Sequence, residues 1–106
     1  MVENNFELIL CIVDNGFSDL AMDAARDAGA RGGTVVHARG TGRKDMEEKY
    51  GVVVTPEKEL VLILVSNSIR DAVLDAIYKA AGLNTKGHGI AFSLPVSDVS
   101  GLKFEK

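Results

Sequence analysis

Two stretches of the chain are apolar at almost every position. Phe6, Leu8, Ile9, Leu10, Cys11, Ile12 and Val13 form the first, broken only by Glu7, and Leu60, Val61, Leu62, Ile63, Leu64 and Val65 form the second. Runs without the alternation of a half-wet strand belong to strands covered on both faces. Strands are therefore predicted over 6–13 and 60–65. Thr34, Val35 and Val36 are β-branched and open a looser alternation, which predicts a strand over 33–39. A fourth strand is predicted over 90–94, ended by Pro95.

Between these runs the apolar period changes to that of a helix. Phe17, Leu20, Ala21, Ala24, Ala25 and Ala28 fall on one helical stripe, with Asn15 or Ser18 as the expected cap and Gly29 as the stop. Ile69, Val73, Ala76, Ile77 and Ala80 form a second stripe. It follows Asn67, with Ser68 and Asp71 spaced as a capping box, and Gly82 ends it. Asp75 and Lys79 are placed to pair on its outer side.

The remaining segments are rich in glycine or charge. Gly40-Thr41-Gly42-Arg43-Lys44 follows the 33–39 strand, where two residues without a Cβ allow close backbone approach and two cations follow. A loop at about 41–57 then carries Arg43, Lys44, Asp45, Glu47, Glu48 and Lys49. It is too long for a tight hairpin and is expected to be a functional arm or a partly disordered one, with a solvated amphipathic helix over 44–50 as the alternative for that half. Val52, Val53 and Val54 are expected to extend a strand or meet a partner. The second glycine turn, Gly87-His88-Gly89, precedes the fourth strand, and Val99, Leu102 and Phe104 predict a tail that packs on something.

The order βαββαβ with two similar halves predicts the ferredoxin-like α+β fold, a four-stranded antiparallel sheet with both helices on one face, as a single domain over 1–106. Two helices cover only one face. The runs at 6–13 and 60–65 are apolar on both, so an inward-facing symmetric homo-oligomer is expected. A net charge of −3 gives no argument for nucleic acid as a partner. No apolar run is long enough to span a bilayer, so an integral membrane protein is not expected. Cys11, the only cysteine, lies in an apolar run and is expected to be buried and inert; with no secretory leader pattern, a cytoplasmic location is expected. His37 and His88 are too few, and too widely spaced, to predict a metal site.

Gly29-Ala30-Arg31-Gly32-Gly33-Thr34-Val35, the turn Arg39-Gly40-Thr41-Gly42-Arg43, the long charged loop and Gly87-His88-Gly89-Ile90-Ala91-Phe92-Ser93-Leu94-Pro95-Val96 together resemble the PII nitrogen-regulatory signalling proteins, in order and separation, over nearly the whole chain. The resemblance implies a cytoplasmic homotrimer with no catalysis of its own. It implies an adenine nucleotide, ATP, ADP or AMP with or without Mg, bound in clefts between subunits. It also implies that the loop at 41–57 controls a transporter or a metabolic enzyme.

Carried over residue by residue, Gly40 and Gly42 match the first phosphate turn and Arg43 its arginine. Lys58 matches a lysine that reaches phosphate, Gly87 and Gly89 match the second turn, and Lys103 matches a basic residue near the end of the chain. Gly33 and Thr34 match positions that contact the base and ribose from the neighbouring subunit. Several positions depart from the family pattern. Ile90 stands where the family has a lysine, Leu62 an acidic residue, Gly101 an arginine and Lys44 a glutamine. Each charge-assisted contact so lost is worth about 1.5–3 kcal/mol. Sensing of 2-oxoglutarate is therefore not expected. The departures also leave a second reading, a PII-like trimer that has lost nucleotide binding and acts by protein contacts or senses another small ligand or metal. An acylphosphatase, which shares the fold, needs an arginine in its cradle after strand one; Asp14-Asn15-Gly16-Phe17 has none.

Overall fold

The computed structural model of the chain describes residues 2–3, 5–41, 48–51, 56–83 and 89–102. Among the described residues the main elements follow in the order β1 (Val2–Glu3), β2 (Phe6–Asp14), α1 (Ser18–Asp27), β3 (Thr34–Arg39), β4 (Glu57–Ser66), α2 (Arg70–Ala80), β5 (Gly89–Val96) and β6 (Val99–Ser100). Four of the strands form one antiparallel sheet in the order β3-β4-β2-β5. The two apolar runs thus become the two central strands, as their composition requires. The tail pairs back onto the start of the chain, with β6 against β1 in a two-stranded ribbon.

One face of the sheet carries the core. Ile9, Cys11 and Val13 of β2 and Val61, Ile63 and Val65 of β4 pack with Ala21, Met22 and Ala25 of α1 and Val73 and Ile77 of α2. Burial of each large aliphatic side chain contributes about 1.5–3 kcal/mol. The helices cover the central strands but not the edge strand β3, whose Val35 stays exposed beside buried Val61.

The other face is open and apolar. Register places Val36, Leu60, Ile12 and Ile90 in one cross-strand row and Thr34, Leu62, Leu10 and Phe92 in the next, with Leu64, Leu8 and Leu94 beyond. Val36, Ile90, Phe92 and Leu94 are exposed.

Several sequence expectations are corrected. The α1 stripe is rotated: Ser18, Ala21, Met22 and Ala25 are buried, whereas Leu20 points to solvent. Neither Asn15 nor Ser18 caps that helix with its side chain, because Phe17 occupies the cap position. The expected capping box of α2 is absent as well: Ile69 is the cap, Ser68 bonds Ser66 through their hydroxyls at 2.9 Å, and Asp71 accepts from Arg70 Nε at 3.0 Å. Arg70 Nη1 also donates to both oxygens of Glu7, at 3.1 and 2.9 Å, and ties the start of α2 to β2. In that helix Ala80 is exposed and Ala81 buried. The Asp75–Lys79 pair forms as expected, at 3.0 Å.

β4 starts at Glu57 rather than Leu60, and β5 runs through Pro95 to Val96. Pro95 is tolerated there because β5 is an edge strand, where a missing N–H costs no interior ladder bond. Residues 48–50 are helical, the described part of the alternative helix over 44–50; 44–47 lie outside the described residues. The valines expected to extend a strand, Val52, Val53 and Val54, lie outside the described residues.

Candidate functional site

The antiparallel topology gathers four chain segments at one end of the sheet. β2 and β3 finish there, and β4 and β5 begin there. Lys58 lies opposite Asp14 on one side and Ala38 on the other, and Gly89 opposite Val13 one row further in. Gly40, just past β3, donates its amide to the carbonyl of Pro56 at 2.7 Å and so closes the base of the long loop. A Cβ on Gly40 would meet Cγ and Cε of Lys58 at 3.4 Å, so the lysine stem runs along this glycine.

Of the nine residues singled out from the sequence, Gly40, Lys58 and Gly89 are therefore brought to one end of the sheet. Gly33 and Thr34 sit at the other end of β3, where Thr34 pairs with Leu62. Four residues of strand separate Thr34 from Ala38, roughly 13 Å. Gly42, Arg43, Gly87 and Lys103 lie outside the described residues.

Two of these glycines have firm packing roles. Gly33 has no room for a side chain, since a Cβ would come within 2.6 Å of the Leu62 carbonyl oxygen, 3.0 Å of Met22 Sδ and 3.1 Å of Ile63 Cγ1. Gly89 combines a φ of 145° with backbone contact to the Ile12 carbonyl, a conformation and a closeness that other residues rarely accept.

The charged groups at the gathered end form a network. Lys58 Nζ donates to Asp14 Oδ1 at 2.5 Å, and the two side chains are 22% and 36% exposed. Asn15 Nδ2 donates to Glu57 Oε2 at 3.3 Å. Glu59 is the buried member, accepting the Gly16 amide at 2.8 Å and the Ser18 amide at 3.4 Å through Oε1. Its Oε2 faces His37 Nδ1 at 3.8 Å. The Gly16 amide is the main cause holding the Glu59 carboxyl below its ordinary range, burial opposes it, and Ser18 and His37 add to the lowering. Glu59 thereby satisfies the start of α1 from a different strand, which explains why no neighbouring side chain caps that helix.

Asn15, His37, Ala38, Arg39, Glu57 and Lys58 line an open cleft of about 350 Å³ at this end. Sequence reasoning missed Asp14 and Glu59. Neither belongs to a local motif, and their placement follows only from the pairing of β2 with β4. Among the described residues no group of three or more metal-ligating side chains converges. Cys11 is buried in the core, and burial pushes its thiol up to about 11.

The sheet order and the two helices on one face define a ferredoxin-like α+β domain with Gly40 and Gly89 at one end of the sheet. The chain matches the family model of the nitrogen regulatory protein P-II over residues 6–106, and it belongs to that family. It is also similar to the crystal structure of Arabidopsis thaliana PII bound to citrate, with 28% identity, coverage of 92% of this chain and 82% of that one, and a TM-score of 0.70. No curated relative matches. Proteins of the family are regulatory signalling proteins, not enzymes. Among the described residues no helix is long and apolar enough to cross a membrane.

Proposed function

We propose that this PII-family protein works as a cytoplasmic homotrimer that binds an adenine nucleotide, ATP, ADP or AMP, in clefts between subunits. Through the loop at 41–57 it then controls a transporter or a metabolic enzyme. The observation that carries this reading is the division of the candidate residues. Gly40, Lys58 and Gly89 stand at one end of the sheet, and Gly33 and Thr34 at the other. One subunit offers the phosphate turns and its neighbour the base-contacting edge, so a complete site needs two copies. The open apolar face supports the oligomer, because leaving it wet would forfeit about 25 cal/mol per Å². Nucleotide in the cleft changes the order of the loop and with it the affinity for the partner.

The test is calorimetric titration with ATP, ADP and AMP, with and without magnesium, on the native protein and on Arg43→Ala. Binding in the micromolar range that is lost in the variant supports the reading; silence with all three nucleotides overturns it. A second reading rests on Leu62 and Ile90, whose positions in the apolar rows leave no charge to read a base or hold a phosphate. In that case the trimer acts by protein contacts or binds another small ligand. A polycarboxylate is the first to try, since the similar Arabidopsis protein is bound to citrate.

A further inference from the structure

Lys58 and Asp14 carry an inference about how the proposed site is loaded. They come from different strands, forty-four residues apart, and stand directly opposite each other in the β2–β4 register. Lysine presents a compact charge with three donors on a flexible stem. Here the stem is laid along Gly40, and its end is taken by Oδ1 of Asp14. The Lys58 side chain is 22% exposed and that of Asp14 36%, so the pair is partly shielded from solvent. An anion that binds Lys58 therefore has to compete with the carboxylate of Asp14 that already holds it. At the same end Glu57 and Glu59 add two more carboxylates, and Arg39 lines the cleft beside Lys58. Like charges a few ångströms apart repel strongly where solvent is partly excluded.

We propose that Asp14 is a built-in competitor for Lys58. It holds the ammonium in the unloaded protein, and a polyphosphate must exchange with it to bind. The proposal rests on the reading of Lys58 as a phosphate ligand. Its consequence is a site tuned to weak binding, one that responds to changes in ligand concentration instead of staying saturated. No bond is made or broken; the ammonium passes from one oxygen acceptor to another.

The experiment is calorimetry with ATP and with inorganic tripolyphosphate on the native chain, Asp14→Asn, Lys58→Gln and the double variant, with thermal melts to confirm folding. Asp14→Asn is expected to bind both ligands roughly three- to tenfold more tightly, the range in which a partly exposed ion pair competes. That gain is expected to vanish when Lys58 is also replaced. Equal affinity in Asp14→Asn and the native chain overturns the competitor but leaves nucleotide binding standing. A gain that persists without Lys58 overturns it too, as a mere effect of net charge. If only tripolyphosphate binds and shows the gain, the competitor stands and the nucleotide reading falls. Silence with both ligands in every protein overturns both. Should Asp14→Asn not fold, the ¹³Cγ signal of Asp14 in the native chain decides: it moves on saturation with tripolyphosphate if the exchange occurs, and an unmoved signal overturns the proposal.

Discussion

The amide of Gly16 donates to Oε1 of Glu59 at 2.8 Å, across forty-three residues of sequence. This one bond joins the turn after β2 to the start of β4 and fixes where α1 begins. A glutamine at position 59 keeps the size but loses the charge that faces the α1 amides. Glu59→Gln is expected to lower the melting temperature at neutral pH. The native carboxyl is held below its ordinary value of 4.5, so its contribution is fully present above that value and is lost as pH falls through the lowered one. Melting curves from pH 7 to pH 2.5 should show a drop in native stability, relative to the variant, confined to the region below about 4.5. Parallel curves for the two proteins would contradict this.

Gly33→Ala tests whether the tight space just before β3 serves packing. The added methyl meets the Leu62 carbonyl oxygen and the Met22 and Ile63 side chains, and only the side chains can give way. A loss of about 1–3 kcal/mol in denaturant unfolding is expected. No loss would mean that β3 can slide outward freely.

Gly89→Ala should be the more damaging change, because it adds a left-handed conformation to contact with the Ile12 carbonyl. About 3 kcal/mol or more is expected in urea unfolding. A variant as stable as the native protein would show that the start of β5 can be rebuilt.

Phe92→Asp probes the open face. Phe92 is 38% exposed in the single chain and lies beside Leu10 in a cross-strand row, so a charge there leaves the helix-side core untouched. If the protein is the homotrimer proposed above, the variant is expected to fold but not to assemble, read as a fall in mass by light scattering to that of one chain. A mass unchanged from that of the native protein would mean that this face is not the contact between copies.

Cys11 has no exposure, and its thiol is pushed up to about 11 by burial. At pH 8 a thiol reagent should leave the folded protein unmodified and react with one equivalent after denaturation. Rapid reaction of the folded protein would mean that the core opens between β2 and the helices.

Much of the fold was legible in the chain. The two unbroken apolar runs became the central strands β2 and β4, and the helical stripes and terminal glycines located both helices, because burial on two faces and the period of a helix are local properties of sequence. The faces of the helices were less legible. Leu20 was expected inside and Met22 was not, since which side of α1 meets the sheet depends on how the helix crosses it. The glycine turns and their cations were visible as motifs, and only the topology set Gly40, Lys58 and Gly89 at one end and Gly33 and Thr34 at the other. Asp14 and Glu59 carry no local signature. Their roles arise from register, the pairing of Asp14 with Lys58 and the reach of Glu59 to the Gly16 amide, and register is settled by the long-range fit of one strand against another.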